Sequence, residues 1–359
     1  MKNKILAVSF VIIIFSMFSL NILTNNTKDL VASSIAEVKN ASYSTTKEQI
    51  GALVKSLENT FNSHITLKKE LGVPTNFLDF KLFDRIDSNA TLLGKDKWLF
   101  YKADYDGKSI DDYKGTNVYS EDEMALIAKN YEEAKEYYKN KGIDFYLMIA
   151  PNKEQIYSQY MPANINVVNE DKKADRLIRY LKDHNIQVID PKSELIQYRN
   201  EAQLYYKNDT HWNDIGAFIG AQHINEAVLG TREDFVPEKV YSDGTTTNCD
   251  LMNAIGLSLL NTDIEYKYNS DVSNVNAEYS SFGKFKDHYS SNGASDKKIL
   301  FLGDSFRIAL ENWLPLYYSN IDFIHRDQYS RQDVDDIQPD VVILEVVERH
   351  TDVLFSSMY

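Results

Sequence analysis

Two short stretches hold side chains that together could perform acyl transfer. Near the middle of the chain, Tyr205-Tyr206-Lys207-Asn208-Asp209-Thr210-His211-Trp212 offers a carboxylate and an imidazole two residues apart. Near its end, Ile299-Leu300-Phe301-Leu302-Gly303-Asp304-Ser305-Phe306 offers a hydroxyl. An imidazole can take the hydroxyl proton while the carboxylate fixes the tautomer that does so, which makes the hydroxyl a nucleophile toward esters. In an extended segment, the Asp209 and His211 side chains would share one face with Cα atoms about 6–7 Å apart, close enough for direct contact. The plainer account makes Asp209 a turn residue and His211 a hydrogen-bonded core histidine. Ser305 follows an apolar run and precedes a helical one, so its hydroxyl is expected at the carboxyl end of a sheet, with the first helical N–H groups aimed at the same spot. Gly303 permits the tight turn. Here the plainer account is that Asp304 or Ser305 is only a helix cap. No other His or Cys is spaced as a partner ligand, so no metal site is assigned.

These residues need a scaffold, and the pattern of the chain predicts one. Ser120-Glu121-Asp122-Glu123 has the form of a capping box, and Met124, Ile127, Tyr131, Ala134 and Tyr138 continue it as one apolar helical stripe that Gly142 ends. The apolar run from Ile143 to Ala150 follows as a strand. The alternation repeats: a helix over 171–184, a strand over 186–189 and a helix from Ser193 toward Asn200. A helix capped by Asn213 or Asp214 then runs to Val228. Farther on come a strand over 299–302, a helix from Phe306 that stops near Pro315, and strands over 321–324 and 340–347. Helices alternating with short, continuously apolar strands predict an α/β fold of doubly wound type, a parallel sheet covered on both faces. Upstream, Trp98-Leu99-Phe100-Tyr101 predicts a short strand entering the domain. Residues 231–296, rich in Ser, Asn, Asp and Tyr, read as an insertion carrying loops, with one short strand over 264–268.

Composition limits the partners. With 359 residues and 12% aromatics the chain can bury a large core. A net charge of −14 argues against nucleic acid, whose phosphates need a basic patch. Cys249 is the single cysteine, so no intramolecular disulfide can form. Lys2 and Lys4 precede 19 uncharged residues from Ile5 to Leu23, close to the roughly 20 that span a bilayer as a helix. Residues 1–25 are therefore read as a signal-anchor that exports the rest of the chain, a cleaved signal peptide being the rival. Residues 26–84 read as a stem with an amphipathic helix bearing Ile50, Leu53, Leu57 and Phe61, and residues 85–359 as the catalytic domain.

Taken together, Trp98-Leu99-Phe100-Tyr101, the run Ile149-Ala150-Pro151-Asn152-Lys153-Glu154-Gln155-Ile156-Tyr157, Asp209-Thr210-His211-Trp212, Asp250-Leu251-Met252 and Gly303-Asp304-Ser305-Phe306 resemble, in order and spacing, the SGNH-hydrolase-like domain of the AlgX and AlgJ alginate O-acetyltransferase family. The resemblance implies a permuted SGNH fold, with Ser305 as nucleophile, His211 as general base and Asp209 as its orienting acid. It implies an extracytoplasmic enzyme that acetylates an exopolysaccharide, without a cofactor, taking acetyl from an ester or from a membrane-bound O-acyltransferase partner. Asn152 is a candidate oxyanion donor or a turn residue, Gly303 a further oxyanion candidate, and Trp212 a sugar shelf or a core tryptophan. Arg349, with Glu348, faces the pocket or forms an ion pair at the chain end. The chain ends at Tyr359, which makes it look like the anchored AlgJ type. Its acidity favours a neutral polymer over a polyuronate. An acetyl esterase using the same residues and a non-catalytic scaffold of an export complex are the alternatives.

Overall fold

The computed structural model describes residues 79–80, 84–103, 105–246, 249–272 and 275–358. The expected anchor over 1–25 and most of the stem over 26–84, including its amphipathic helix, lie outside the described residues. In chain order the elements are β1 (Thr91–Leu93), β2 (Leu99–Tyr101), α1 (Ser109–Lys114), α2 (Glu121–Lys139), β3 (Asp144–Ala150), the single turn α3 (Lys153–Ile156), α4 (Lys173–Asp183), β4 (Val188–Ile189), α5 (Lys192–Tyr198), α6 (Asp214–Leu229), β5 (Val240–Thr245) and α7 (Asp250–Ala254). They continue with β6 (Ile264–Tyr268), β7 (Ala277–Gly283), β8 (Lys286–Ser291), β9 (Ser295–Gly303), α8 (Arg307–Leu310), β10 (Tyr318–His325), α9 (Arg331–Ile337) and β11 (Val341–Val347).

Seven strands form the central sheet in the order β4-β3-β11-β9-β10-β8-β7. Because successive side chains of a strand go to opposite faces, each apolar run feeds two cores. Phe145, Leu147 and Ile149 of β3, Leu300 and Leu302 of β9, and Val342, Leu344 and Val346 of β11 pack with α2, α4 and α9. The intervening Met148, Ile299, Phe301, Val341 and Ile343 pack with α6 on the other side. Three layers result, as the continuous apolar runs required. The capping box forms as read: Ser120 Oγ accepts from the Glu123 N–H, and the Glu123 carboxylate accepts from the Ser120 N–H. Asn213, not Asp214, caps α6, its side chain accepting from the N–H groups of Ile215 and Gly216.

The sheet is mixed, which corrects the expectation of a purely parallel one. Strands β4, β3, β11, β9 and β10 are parallel, but β8 pairs antiparallel with β10, and β7 antiparallel with β8. This hairpin lies inside the 231–296 segment read as loops. Every residue of β7 is exposed, so the strand carries no apolar run to announce it. The rest of that segment also folds, with β5 and β6 forming a separate antiparallel ribbon. The short strand expected at Trp98-Leu99-Phe100-Tyr101 forms as β2, which pairs antiparallel with β1 in a ribbon of its own. Leu99 joins Leu251, Met252, Ile255 and Leu257 in a small third core that anchors α7.

Candidate active site

Three neighbouring parallel strands, β3, β11 and β9, end side by side, with Val347 opposite Ala150 and Leu344 opposite Leu302. The residues that follow them are Asn152, Glu348 with Arg349, and Asp304 with Ser305. Sites in open α/β sheets form at this carboxyl rim.

Ser305 sits at the turn between β9 and α8, and that turn is built by Asp304. The buried Asp304 carboxylate accepts from the N–H groups of Phe306 and Val347, both at 3.0 Å, and from the Arg326 guanidinium at 3.1 Å. Burial would raise its pKa, but His350, Arg326 and these N–H groups hold it below the usual carboxylate range. Phe306 stands at the start of α8 and no side chain caps it, so the helix-cap account holds for neither Asp304 nor Ser305; Asp304 folds the turn and the Ser305 hydroxyl is left for other work. Gly303 has a definite reason to be glycine. A Cβ there would lie 2.7 Å from Glu345 Oε2 and 2.9 Å from the Phe301 ring. The buried Glu345 uses the same oxygen to accept from the Asp304 N–H at 3.0 Å, and burial keeps its carboxyl well above the usual range.

The acid and the base arrive from a tight loop, not from the extended segment expected. Residues 205–212 fold back on themselves: Tyr205 bridges Trp212, and the Tyr206 N–H donates to the His211 carbonyl. Within this loop Asp209 Oδ1 accepts from the His211 backbone N–H at 3.0 Å and pairs with ring Nδ1 at 2.6 Å. The other ring nitrogen, Nε2, lies 2.7 Å from Ser305 Oγ, across 94 residues of sequence. Burial would lower the His211 pKa, yet the Asp209 hydrogen bond and charge raise it above its ordinary value. Burial opposes ionisation of Asp209, but His211 and the Asp250 N–H hold it near 2. An ionised carboxylate, an imidazole and a hydroxyl in this geometry can carry a proton off the hydroxyl and return it to a leaving group.

Trp212 is no sugar shelf. It is fully buried, its ring fitted against Gly220 of α6, where a Cβ would come within 3.0 Å. Its indole N–H donates to the Phe306 carbonyl at 3.0 Å, tying the 205–212 loop to the Ser305 turn. Asn152 is buried too. Its N–H donates to Glu348 Oε2 at 3.0 Å and its Oδ1 accepts from Arg349 at 3.3 Å, while Nδ2 has no partner among the described residues. The Arg349 guanidinium lies over the rings of Tyr101 at 5.3 Å and of Phe306, the residue after Ser305, at 5.6 Å. Glu348 and Arg349 therefore grip Asn152, and among the described residues neither forms an ion pair.

Two residues escaped assignment from sequence. The Asp250 N–H donates to Asp209 Oδ2 at 2.7 Å, and its own carboxylate accepts from the Thr210 N–H at 2.8 Å and from the Thr210 hydroxyl. Ligand-capable atoms of Asp209, His211 and Asp250 lie within 4.8 Å of one another, engaged in these mutual bonds. Lys153 is buried under the loop, its ammonium donating to the carbonyls of Tyr206, Lys207 and Asp209. Burial lowers its pKa to about 8, against the opposing charges of Asp209, Asp250, Asp263 and Glu154. Nothing in spacing links either residue to the site. Only their presence in the resembling motifs pointed this way.

Residues 91–312 match the family model described as SGNH hydrolase-like domain, acetyltransferase AlgX. The chain belongs to this family. Among its relatives are proteins named "Probable alginate O-acetylase AlgJ" from Pseudomonas putida, 26% identical over 181 residues, and from Pseudomonas syringae pv. tomato, 25% identical over 199. These alignments cover 50% and 53% of this chain and 44% and 48% of those proteins, so the chain spans just under half the length of the curated relatives it matches. Among solved structures, PatB1 of Bacillus cereus matches with a TM-score of 0.53 at 16% identity, covering 74% of this chain and 99% of that one. A DHHW family protein from Eubacterium siraeum matches with a TM-score of 0.52 at 14% identity, covering 76% and 94%. At these identities the structural likeness shows a shared fold alone. Among the described residues no helix is long and apolar enough to cross a membrane.

Proposed function

We propose that this chain is an extracytoplasmic O-acetyltransferase that moves acetyl groups through a Ser305 acyl-enzyme onto hydroxyls of an exopolysaccharide. The observation that carries the reading is the 2.7 Å approach of His211 Nε2 to Ser305 Oγ, backed by Asp209, in a chain of the AlgX acetyltransferase family. Ser305 Oγ attacks the acetyl carbonyl of the donor as His211 takes its proton. The intermediate collapses, His211 gives that proton to the departing alcohol, and the acetyl group stays on Ser305. A sugar hydroxyl then attacks the acyl carbon while His211 accepts its proton, and that proton goes to Ser305 Oγ as the sugar ester leaves. The unpartnered Nδ2–H of Asn152 is the candidate donor to the developing oxyanion.

The acetyl donor in this reading is an ester or a membrane-bound O-acyltransferase partner, and residues 1–25 hold the enzyme at the membrane. The net charge of −14 favours a neutral polymer over a polyuronate. Incubation with a chromogenic acetyl ester, with and without oligosaccharide, tests the reading. The expected result is one acetyl group on the intact protein, mapped to Ser305, with faster release and an acetylated sugar when the oligosaccharide is present. A Ser305→Ala variant that acetylates sugar at the wild-type rate would overturn it.

A further inference from the structure

The ammonium of Lys153 occupies a place that the base loop makes for it. Carbonyl oxygens of Tyr206, Lys207 and Asp209 converge on its Nζ at 3.1, 3.2 and 2.5 Å. An ammonium has three N–H donors, and here each has an acceptor. The side chain is 2% exposed, and the Trp98 and Phe100 rings lie 5.7 and 5.3 Å from the charge. Three carbonyl dipoles aimed at one buried point repel one another, and a fixed cation removes that repulsion. Two of the three come from residues just before Asp209 and the third from Asp209 itself. The same loop closes through the Tyr206 N–H and the His211 carbonyl at 3.2 Å. Lys153 opens the short turn after β3, directly after Asn152, so the strand that offers the oxyanion candidate also offers the cation.

We propose that Lys153 is a positioning residue whose buried charge locks the 206–211 loop in the conformation that presents His211 to Ser305. This rests on reading His211 as the general base, but the lock is a property of the loop and can be measured without turnover.

Lys153→Met keeps an unbranched stem and removes the charge, whereas Lys153→Arg keeps the charge. In the full-length protein, amide hydrogen exchange at Tyr206 and His211 is expected to quicken by on the order of tenfold or more in Lys153→Met, with β3, β9 and β11 as protected as in wild type. Acetyl-ester kcat should fall on the order of 10²-fold with KM little changed, because a displaced base weakens the transition state more than substrate binding. Lys153→Arg should recover most of the protection. Unaltered exchange at Tyr206 and His211 in a folded Lys153→Met overturns the proposal, as does a folded Lys153→Arg no better protected than Lys153→Met. Loss of the whole fold in both variants also overturns it, since Lys153 would then support the domain and not the loop. If Lys153→Met alone fails to fold, a protected loop in Lys153→Arg supports the lock. Wild-type protein inert toward the ester but with the expected exchange pattern would refute the enzymatic reading and leave this one standing.

Discussion

The indole of Trp212 donates to the carbonyl of Phe306 at 3.0 Å, so the residue after the imidazole is bonded to the residue after the hydroxyl. The rings of His211 and Phe306 are 5.0 Å apart at the same junction. Trp212→Phe empties the space against Gly220 and leaves a buried carbonyl without its donor, so the loss should exceed the about 1–3 kcal/mol expected for the carbonyl alone. Chemical denaturation should show that loss, and ester turnover in the folded variant should fall as the hydroxyl and imidazole drift apart.

Asp209→Asn leaves the loop nearly isosteric but removes the charge that holds the His211 proton, and kcat is expected to fall about 10³–10⁴-fold. The acid limb of kcat/KM should move as well. In the wild-type protein the Asp209 hydrogen bond and charge raise the His211 pKa above its ordinary value, so the limb is expected higher than for a free imidazole. Without the Asp209 charge burial dominates and the limb shifts downward. A limb that stays in place would mean that another group titrates there.

Asp250 braces the same loop from outside, its N–H on Asp209 and its carboxylate on Thr210. Its negative charge also helps to raise the His211 pKa. Asp250→Asn should lower kcat/KM by on the order of tenfold and shift the acid limb downward by less than Asp209→Asn does. Parallel pH profiles of the two variants test the ranking.

A methyl group at position 303 meets the Glu345 carboxyl and the Phe301 ring below 3.0 Å. Gly303→Ala should cost about 1–3 kcal/mol by overpacking and should move Ser305 along with the strand end. Denaturation midpoints and labelling of Ser305 by a sulfonyl fluoride report the two effects separately.

Asp304 receives bonds from Arg326, Phe306 and Val347, and its pKa is depressed. A carboxylate of this kind contributes stability that is fully present above its unfolded pKa and is lost as pH falls through the folded value. Asp304→Asn should therefore cost about 3 kcal/mol at neutral pH, leaving Arg326 short of its buried counter-charge. The variant should also lose less stability than wild type between pH 5 and acid, which urea titrations at several pH values would show.

Much of this arrangement was legible in the chain because apolar runs and caps are local. The two-faced strands β3, β9 and β11, the Ser120 capping box and the strand-to-helix turn at Ser305 all follow from patterns within a few residues. The hairpin β7–β8 did not, because a strand with all its residues in water carries no apolar signature. Trp212 was equally ambiguous, since a tryptophan beside a histidine reads alike as ligand platform and as core. Its burial depends on the space that Gly220 leaves on α6. The roles of Lys153 and Asp250 depend on contacts made across 56 and 40 residues, which periodicity does not encode.

Because Asp209 takes both the main-chain and the ring N–H of His211, proton acceptor and counter-charge form a cassette of three consecutive residues. The bonds between Asp209 and His211 are local, although Lys153 and Asp250 hold the loop from outside. The longest-range meeting that chain assembly must still achieve for this loop is that of the cassette with Ser305, across 94 residues. A slip of β9 by one residue would carry the hydroxyl about 3.3 Å away and turn its side chain to the other face. Such a misregistered molecule would keep a finished cassette with nothing to activate, so errors of assembly should yield silent protein and not a promiscuous esterase.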